Sequence, residues 1–161
     1  MTADGTGLAR GRRNLGLLDG LVQLSFTVHA ALERVAERHD LSLAQVRLLG
    51  ILRDRKPAMQ ELATYLNLDK SSITGLVTRA EARGFVQRFT TPEDRRAVNV
   101  TLTPKGREVT QVFVKQLEQE LAVLIENLSD TDRRRLSKLA SRIVTDDIHR
   151  RFPDGTILPR E

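Results

Sequence analysis

Residues 59–103 read MQELATYLNLDKSSITGLVTRAEARGFVQRFTTPEDRRAVNVTLT, and this stretch decides the fold. Gln60–Leu66 is a short helical run with Leu62, Ala63 and Leu66 on one face. Asn67-Leu68-Asp69 is a turn. Asn tolerates the positive φ that a sharp helix–helix turn needs. Asp69 can cap the next helix by accepting from a free backbone N–H. That helix repeats Ile73, Leu76, Val77 and Ala80 at i, i+3, i+4 and i+7, an inward stripe. Gly84 ends it. Two runs of strand composition, Phe85–Phe89 and Val98–Leu102, flank a loop from Thr91 to Arg96. Pro92 falls in that loop, where no ladder hydrogen bond is lost. Short helix, tight turn, longer helix, glycine stop and hairpin make the pattern of a winged helix-turn-helix.

The outward face of the longer helix has a particular chemistry. It presents Ser71, Ser72, Thr74, Gly75, Thr78 and Arg79, with Lys70 in the first turn and Glu81 the only nearby acid. An ordinary solvated helix face is rich in Glu and Lys. Short hydroxyl side chains instead approach base edges and phosphates closely, and a Thr methyl can meet a thymine methyl. A cation in the first turn opposes the helix dipole, and a phosphate would relieve it. The reading assigns Lys70 and Ser71 mainly to phosphates, and Ser72, Thr74 and Arg79 mainly to base edges. Thr78 lies deeper along the same face. The hairpin tip carries Glu93-Asp94-Arg95-Arg96. An Arg on a thin hairpin can enter the narrow, negative minor groove. Arg96 is expected there, with Arg95 beside it and Asp94 bracing Arg96 through a charge-assisted hydrogen bond. Taken alone, this tip also fits a solvated turn.

The flanks are helical. Leu15–Arg38 carries Leu18, Leu21, Val22, Phe26, Val28, Leu32 and Val35. Ser42 and Gln45 fit a capping box with Leu41 and Val46 as staple, opening a helix that Pro57 stops at about Arg55. Thr103 is an N-cap with Pro104 at the first helical position. A long amphipathic helix follows, carrying Val109, Val112, Phe113, Leu117, Leu121, Leu124, Ile125 and Leu128. Ser129-Asp130-Thr131-Asp132 starts a last helix with Leu136, Leu139, Ala140, Ile143 and Val144. The expected organisation is a disordered basic arm at 1–13, a helical dimerisation region at 14–40 and 104–148, the winged helix-turn-helix at 41–103, and a tail at 149–161. The fold class is mainly α with a small β-hairpin wing.

The segment LATYLNLDKSSITGLVTRAEARGFVQR, followed by PEDRRAVNVTLTPKGRE, resembles the MarR family of bacterial transcriptional regulators. The wing's Asp94-Arg95-Arg96 and the Leu102-Thr103-Pro104-Lys105-Gly106 exit carry the likeness, along with Ala63, Asn67 and Ile73. Ala80 departs from the Leu common at its position, and Gly75 stands where a larger, often basic, residue is frequent. That glycine allows close approach of the helix backbone to DNA. The resemblance implies a two-fold homodimer, and Leu18, Leu21, Val22, Leu121, Leu124, Ile125, Leu139 and Ile143 are the candidate contacts. It also implies a cleft between dimerisation helices and reader that binds small aromatic or lipophilic ligands. Phe26 and His29 are candidates to line it.

Composition agrees with that reading. The chain of 161 residues has a formal net charge of +5, which favours a polyanionic partner. It has no cysteine, hence no disulfide and no thiolate metal site. Its three histidines, His29, His39 and His149, lack metal-ligand spacing. No phosphate loop or nucleophile motif points to an enzyme, and no cofactor is expected. Apolar runs fall short of a membrane span, and no signal-peptide pattern opens the chain. The expected location is cytoplasmic, at the nucleoid of a bacterium or archaeon. Two function classes stand. One is a dimeric regulator, a repressor in first reading, on pseudo-palindromic double-stranded DNA. The other is an effector-independent winged-helix architectural or interaction module.

Overall fold

The computed structural model describes residues 14–92 and 94–152. The basic arm at 1–13, Glu93 and residues 153–161 lie outside the described residues. Six helices and one hairpin follow in order: α1 Gly16–Arg38, α2 Leu43–Asp54, α3 Met59–Leu66, α4 Lys70–Ala82, β1 Val86–Phe89, β2 Asn99–Leu102, α5 Pro104–Leu124 and α6 Asp130–Arg151.

Local chemistry sets most boundaries as the sequence predicts. Ser42 Oγ accepts from the Gln45 N–H at 3.2 Å, and Gln45 Oε1 accepts from the Ser42 N–H at 3.0 Å, so the capping box of α2 is closed at both ends. Asn67 adopts the left-handed region, φ 53° and ψ 50°, and turns α3 into α4. Gly84 has φ +72°. With the chain turned there, the Phe85 N–H reaches back to the Ala80 carbonyl at 3.0 Å and satisfies the end of α4. β1 and β2 pair antiparallel from Val86 opposite Leu102 to Phe89 opposite Asn99.

One element is absent from the sequence reading. Residues before α3 join the hairpin edge: the Met59 N–H donates to the Val98 carbonyl at 2.9 Å and the Val100 N–H to the Pro57 carbonyl at 3.0 Å. Ala58 and Asn99 form a single bridge there. This third strand is one bridge long and contains a proline, so it leaves no periodicity to detect.

The core is formed by the reader and the inner halves of α1 and α5. Val35 of α1, Leu48 of α2, Leu62 of α3, Val77 of α4 and Val100 of β2 are each fully enclosed, at 0% exposure. Full burial of such a side chain stabilises by about 1.5–3 kcal/mol. Two expectations at the C-terminal end need correction. α5 stops at Leu124, short of Leu128. Arg133 explains the stop by donating to the carbonyls of Leu128 at 3.1 Å and Glu126 at 3.0 Å, which stabilises a turn before the Ser129 cap. α6 continues through Arg151, so residues 149–151 are helix rather than tail. The basic last turn His149, Arg150 and Arg151 complements the helix dipole, and Phe152 then meets Tyr65 edge-on at 6.1 Å.

The exit from the hairpin depends on a close approach. Thr103 Oγ1 donates to the Gly84 carbonyl at 2.6 Å and accepts from the Gly106 N–H at 3.0 Å. A methyl group at Gly106 would stand 1.9 Å from the Phe85 carbonyl oxygen. Only glycine lets α5 lie on that backbone, which accounts for the Leu-Thr-x-x-Gly spacing. Gly106→Ala is expected to destabilise the protein by about 1–3 kcal/mol through overpacking against immovable main chain. Chemical denaturation of the full chain measures it, and a loss below about 0.5 kcal/mol would contradict the close approach.

Candidate nucleic-acid interface

α4 is anchored from within. Ile73 and Leu76 are 2% exposed, and Val77 and Ala80 are 0% exposed. By the helical period the remaining positions face out. Lys70, Ser71, Thr74, Thr78 and Arg79 are exposed, and Ser72 and Gly75 are half-buried. The inward and outward sets therefore fall as the sequence predicts.

Asp69 does more than cap the backbone. Its carboxylate accepts from the Ser72 N–H at 2.8 Å, from Ser71 Oγ at 2.6 Å and from Ser72 Oγ at 2.7 Å. The Ser71 hydroxyl bond, with the bonds from Ser72, holds the Asp69 carboxyl far below the usual carboxylate range. Both serine hydroxyls thus give their protons to Asp69 and turn lone pairs outward. As placed, the Ser71 hydroxyl spends its proton on Asp69. Thr74 likewise donates to the Lys70 carbonyl at 2.7 Å. Lys70 remains the exposed cation of the first turn.

Gly75 faces an arginine of its own helix. A Cβ there would meet Arg79 Nη1 at 3.2 Å. The Arg79 guanidinium lies over the bare backbone of Gly75.

The wing tip is organised through its backbone. Asp94 Oδ1 accepts from the N–H of Arg96 at 2.9 Å and of Ala97 at 3.2 Å, and Thr91 Oγ1 accepts from the Asp94 N–H at 3.2 Å. The expected brace between Asp94 and the Arg96 side chain is replaced by this turn, because a short carboxylate reaches the amides two and three residues on. The Arg95 and Arg96 side chains are exposed, and neither guanidinium forms an ion pair among the described residues.

Sequence reading missed Arg88. From β1 its guanidinium crosses to α4, donating to Glu81 Oε2 at 2.5 Å and to Thr78 Oγ1 at 2.9 Å. The Arg88 N–H also reaches Glu81 Oε1 at 3.3 Å. The signal was present: Glu81 is the lone acid on a hydroxyl-rich helix, and a lone acid implies a cation nearby.

The other candidates fall elsewhere. Phe26 is 64% exposed on α1. His29, also exposed on α1, has its Nε2 3.4 Å from Glu33. Two clefts open instead beside α2 and α3. One of about 580 Å³ is lined by Arg53, Arg55, Lys56, Tyr65 and Arg107, and one of about 440 Å³ by Arg47, Ile51, Arg55, Tyr65, Arg151 and Phe152. Neither includes Phe26 or His29. Leu18, Leu21, Val22, Leu124, Leu139 and Ile143 are all 40% exposed or more, while Leu121 and Ile125 are half-buried. Among the described residues no helix is long and apolar enough to cross a membrane.

Because the folded Asp69 carboxyl titrates below its unfolded value, its contribution is present above that value and lost as pH falls beneath it. Asp69→Ala should lower the melting temperature most near neutral pH, and the gap from wild type should shrink below about pH 4. Melts across the acid range test this, and a gap independent of pH would contradict it.

Comparison with known proteins bears on this geometry directly. Residues 41–98 match the MarR family model. The transcriptional repressor YetL of Bacillus subtilis is 28% identical over 123 residues, 74% of each chain. The transcriptional regulator PecS of Dickeya dadantii is 24% identical over 127 residues, 76% of each chain. A crystal structure of MarR aligns with TM-score 0.72 at 27% identity, covering 86% of this chain and 97% of that one. A complex of NadR with 4-hydroxyphenylacetate shares the fold, with TM-score 0.65 at 20% identity over 89% of this chain and 97% of that one. The matched segment covers the capped α2, the Asn67 turn, α4, β1 and the wing tip, so this chain carries a winged helix-turn-helix of the MarR family of transcriptional regulators.

Proposed function

We propose that the chain acts in the cytoplasm, at the nucleoid, as a homodimeric repressor on pseudo-palindromic double-stranded DNA. The observation that carries this reading is α6. All 22 residues of that helix are at least partly accessible, yet it repeats Leu136, Leu139, Ile143 and Val144 at helical spacing. α1 is similar at its start, where Leu17 is 81% and Leu18 75% exposed. Two uncovered apolar stripes on the terminal helices call for a partner with the same two stripes, and a second copy supplies them about a two-fold axis. Two α4 helices then face one duplex, with half-sites about one turn, ~10 bp, apart. Lys70 contacts phosphate, Arg79 and the hydroxyl face read base edges, and Arg95 and Arg96 enter the flanking minor groove.

Both clefts include Arg55 and Tyr65, and the second is also lined by Asp147, Ile148 and Arg151 of α6. Several cations beside Tyr65 and Phe152 suit a small aromatic anion, and the volumes fall in the range of about 300–1,000 Å³ usual for such sites. Occupancy there bears on both α3 and α6, and so on the spacing of the two readers. This supports release of DNA by ligand.

Sedimentation should give a dimer. Arg96→Ala should weaken operator binding strongly and lower the salt slope by about one unit, with Arg95→Ala milder. Titrations at several salt concentrations measure both. A monomer that still binds one sequence tightly would overturn the dimer, and an unchanged slope for Arg96→Ala would overturn the wing assignment. Sequence-blind binding unmoved by aromatic carboxylates such as 4-hydroxyphenylacetate would favour the architectural module.

A further inference from the structure

We propose that Arg88 is a positioning residue for base readout: it orients the Thr78 hydroxyl so that Thr78 selects a hydrogen-bond acceptor in the major groove. The inference rests on α4 being the DNA reader and adds what one position of that helix recognises.

A hydroxyl has one proton and two lone pairs, so what it shows DNA depends on what the protein has already used. Threonine within a helix commonly donates to the carbonyl four residues back. Thr74 does so, giving its proton to Lys70 at 2.7 Å. Thr78 does not. Arg88 Nη2 lies 2.9 Å from Thr78 Oγ1 and 3.5 Å from the Thr74 carbonyl, the acceptor Thr78 would otherwise use. The guanidinium therefore occupies a Thr78 lone pair and competes for that carbonyl. Among the described residues the Thr78 proton has no acceptor, and the side chain is exposed on the reading face.

Glu81 makes the arrangement rigid. Its carboxylate takes both the Arg88 guanidinium and the Arg88 N–H. The guanidinium is thus fixed to the first strand of the wing and to α4 at once, and its side chain is only 29% exposed. Ser71, Ser72 and Thr74 direct their protons inward and show DNA lone pairs. Thr78 is the one hydroxyl among these four that shows DNA a proton. Guanine N7 and O6, adenine N7 and thymine O4 accept in the major groove, whereas cytosine offers an amino donor there. Thr78 should therefore favour purine or thymine over cytosine at its position, and the serines and Thr74 the opposite polarity at theirs.

Binding-site selection from a random duplex library, run with the full chain and its variants, tests this. Wild type should exclude cytosine at one symmetric pair of positions. T78V should lose that discrimination by about tenfold and T78S should keep it. R88A should lose the same preference at the same positions, with no further loss in the double variant R88A/T78V. R88K keeps an ion pair with Glu81 but not the forked reach to Thr78, so it should fold, keep its salt slope and lose the preference. This makes R88K decisive where R88A fails to fold. Arg88 variants that weaken all sequences equally and lower the salt slope would overturn the proposal, because Arg88 would then be a phosphate contact. So would R88K with wild-type preference, or T78V with no change. A wild-type protein with no preferred sequence would overturn the DNA-reading function itself, which is a different result.

Discussion

The contact between α5 and the Phe85 carbonyl holds the reader to the rest of the molecule. Gly106 lets the α5 backbone reach that oxygen, and the Thr103 N–H donates to it at 3.0 Å. Phe85 lies directly after the turn that ends α4, so this contact fixes where α4 stops and where the wing begins. Two cations reinforce it, with Arg83 4.6 Å and Lys105 5.3 Å from the Phe85 ring centre. The inward stripe of α4 sets its rotation, and this node sets its height.

From the node, polar contacts lead to the terminal helices. Arg83 at the end of α4 donates to the carbonyls of Asp40 and His39, where α1 turns into α2. Arg34 and Arg38 of α1 both hold Glu120 of α5, and these guanidinium bonds keep its carboxyl below the usual range. His39 meets Gln116 at 3.0 Å. These exposed ion pairs add little stability singly. Their value is geometric: they tie α1 to α5 and to the end of α4.

Much of the fold was legible because it follows from local rules. Ser42, Asn67, Asp69, Gly84, Thr103 and Pro104 each mark a boundary for a reason visible in the residue itself. The inward stripe of α4 followed from the helical period alone. What was not legible involved side chains distant in sequence or competing for one proton. Nothing in the order of Ser71 and Ser72 says that Asp69 takes both hydroxyl protons. That the Arg79 guanidinium covers the backbone of Gly75 depends on a side chain one turn on. Arg88 looked like an ordinary strand residue because its partners Glu81 and Thr78 are on another element. The α5 stop depended on Arg133 reaching back across a turn. Phe26 and His29 belong to no residue pattern of their own, and both are exposed on α1.

The central claim is that two copies of α4 enter one duplex with a wing beside each. A hydroxyl-radical footprint of the full chain on the DNA flanking its own coding region tests it most directly. The account predicts two protected segments related by a two-fold axis and centred about one helical turn, ~10 bp, apart, with flanking minor-groove protection from the wings. Continuous protection with no axis of symmetry, at every position along the fragment, would contradict it.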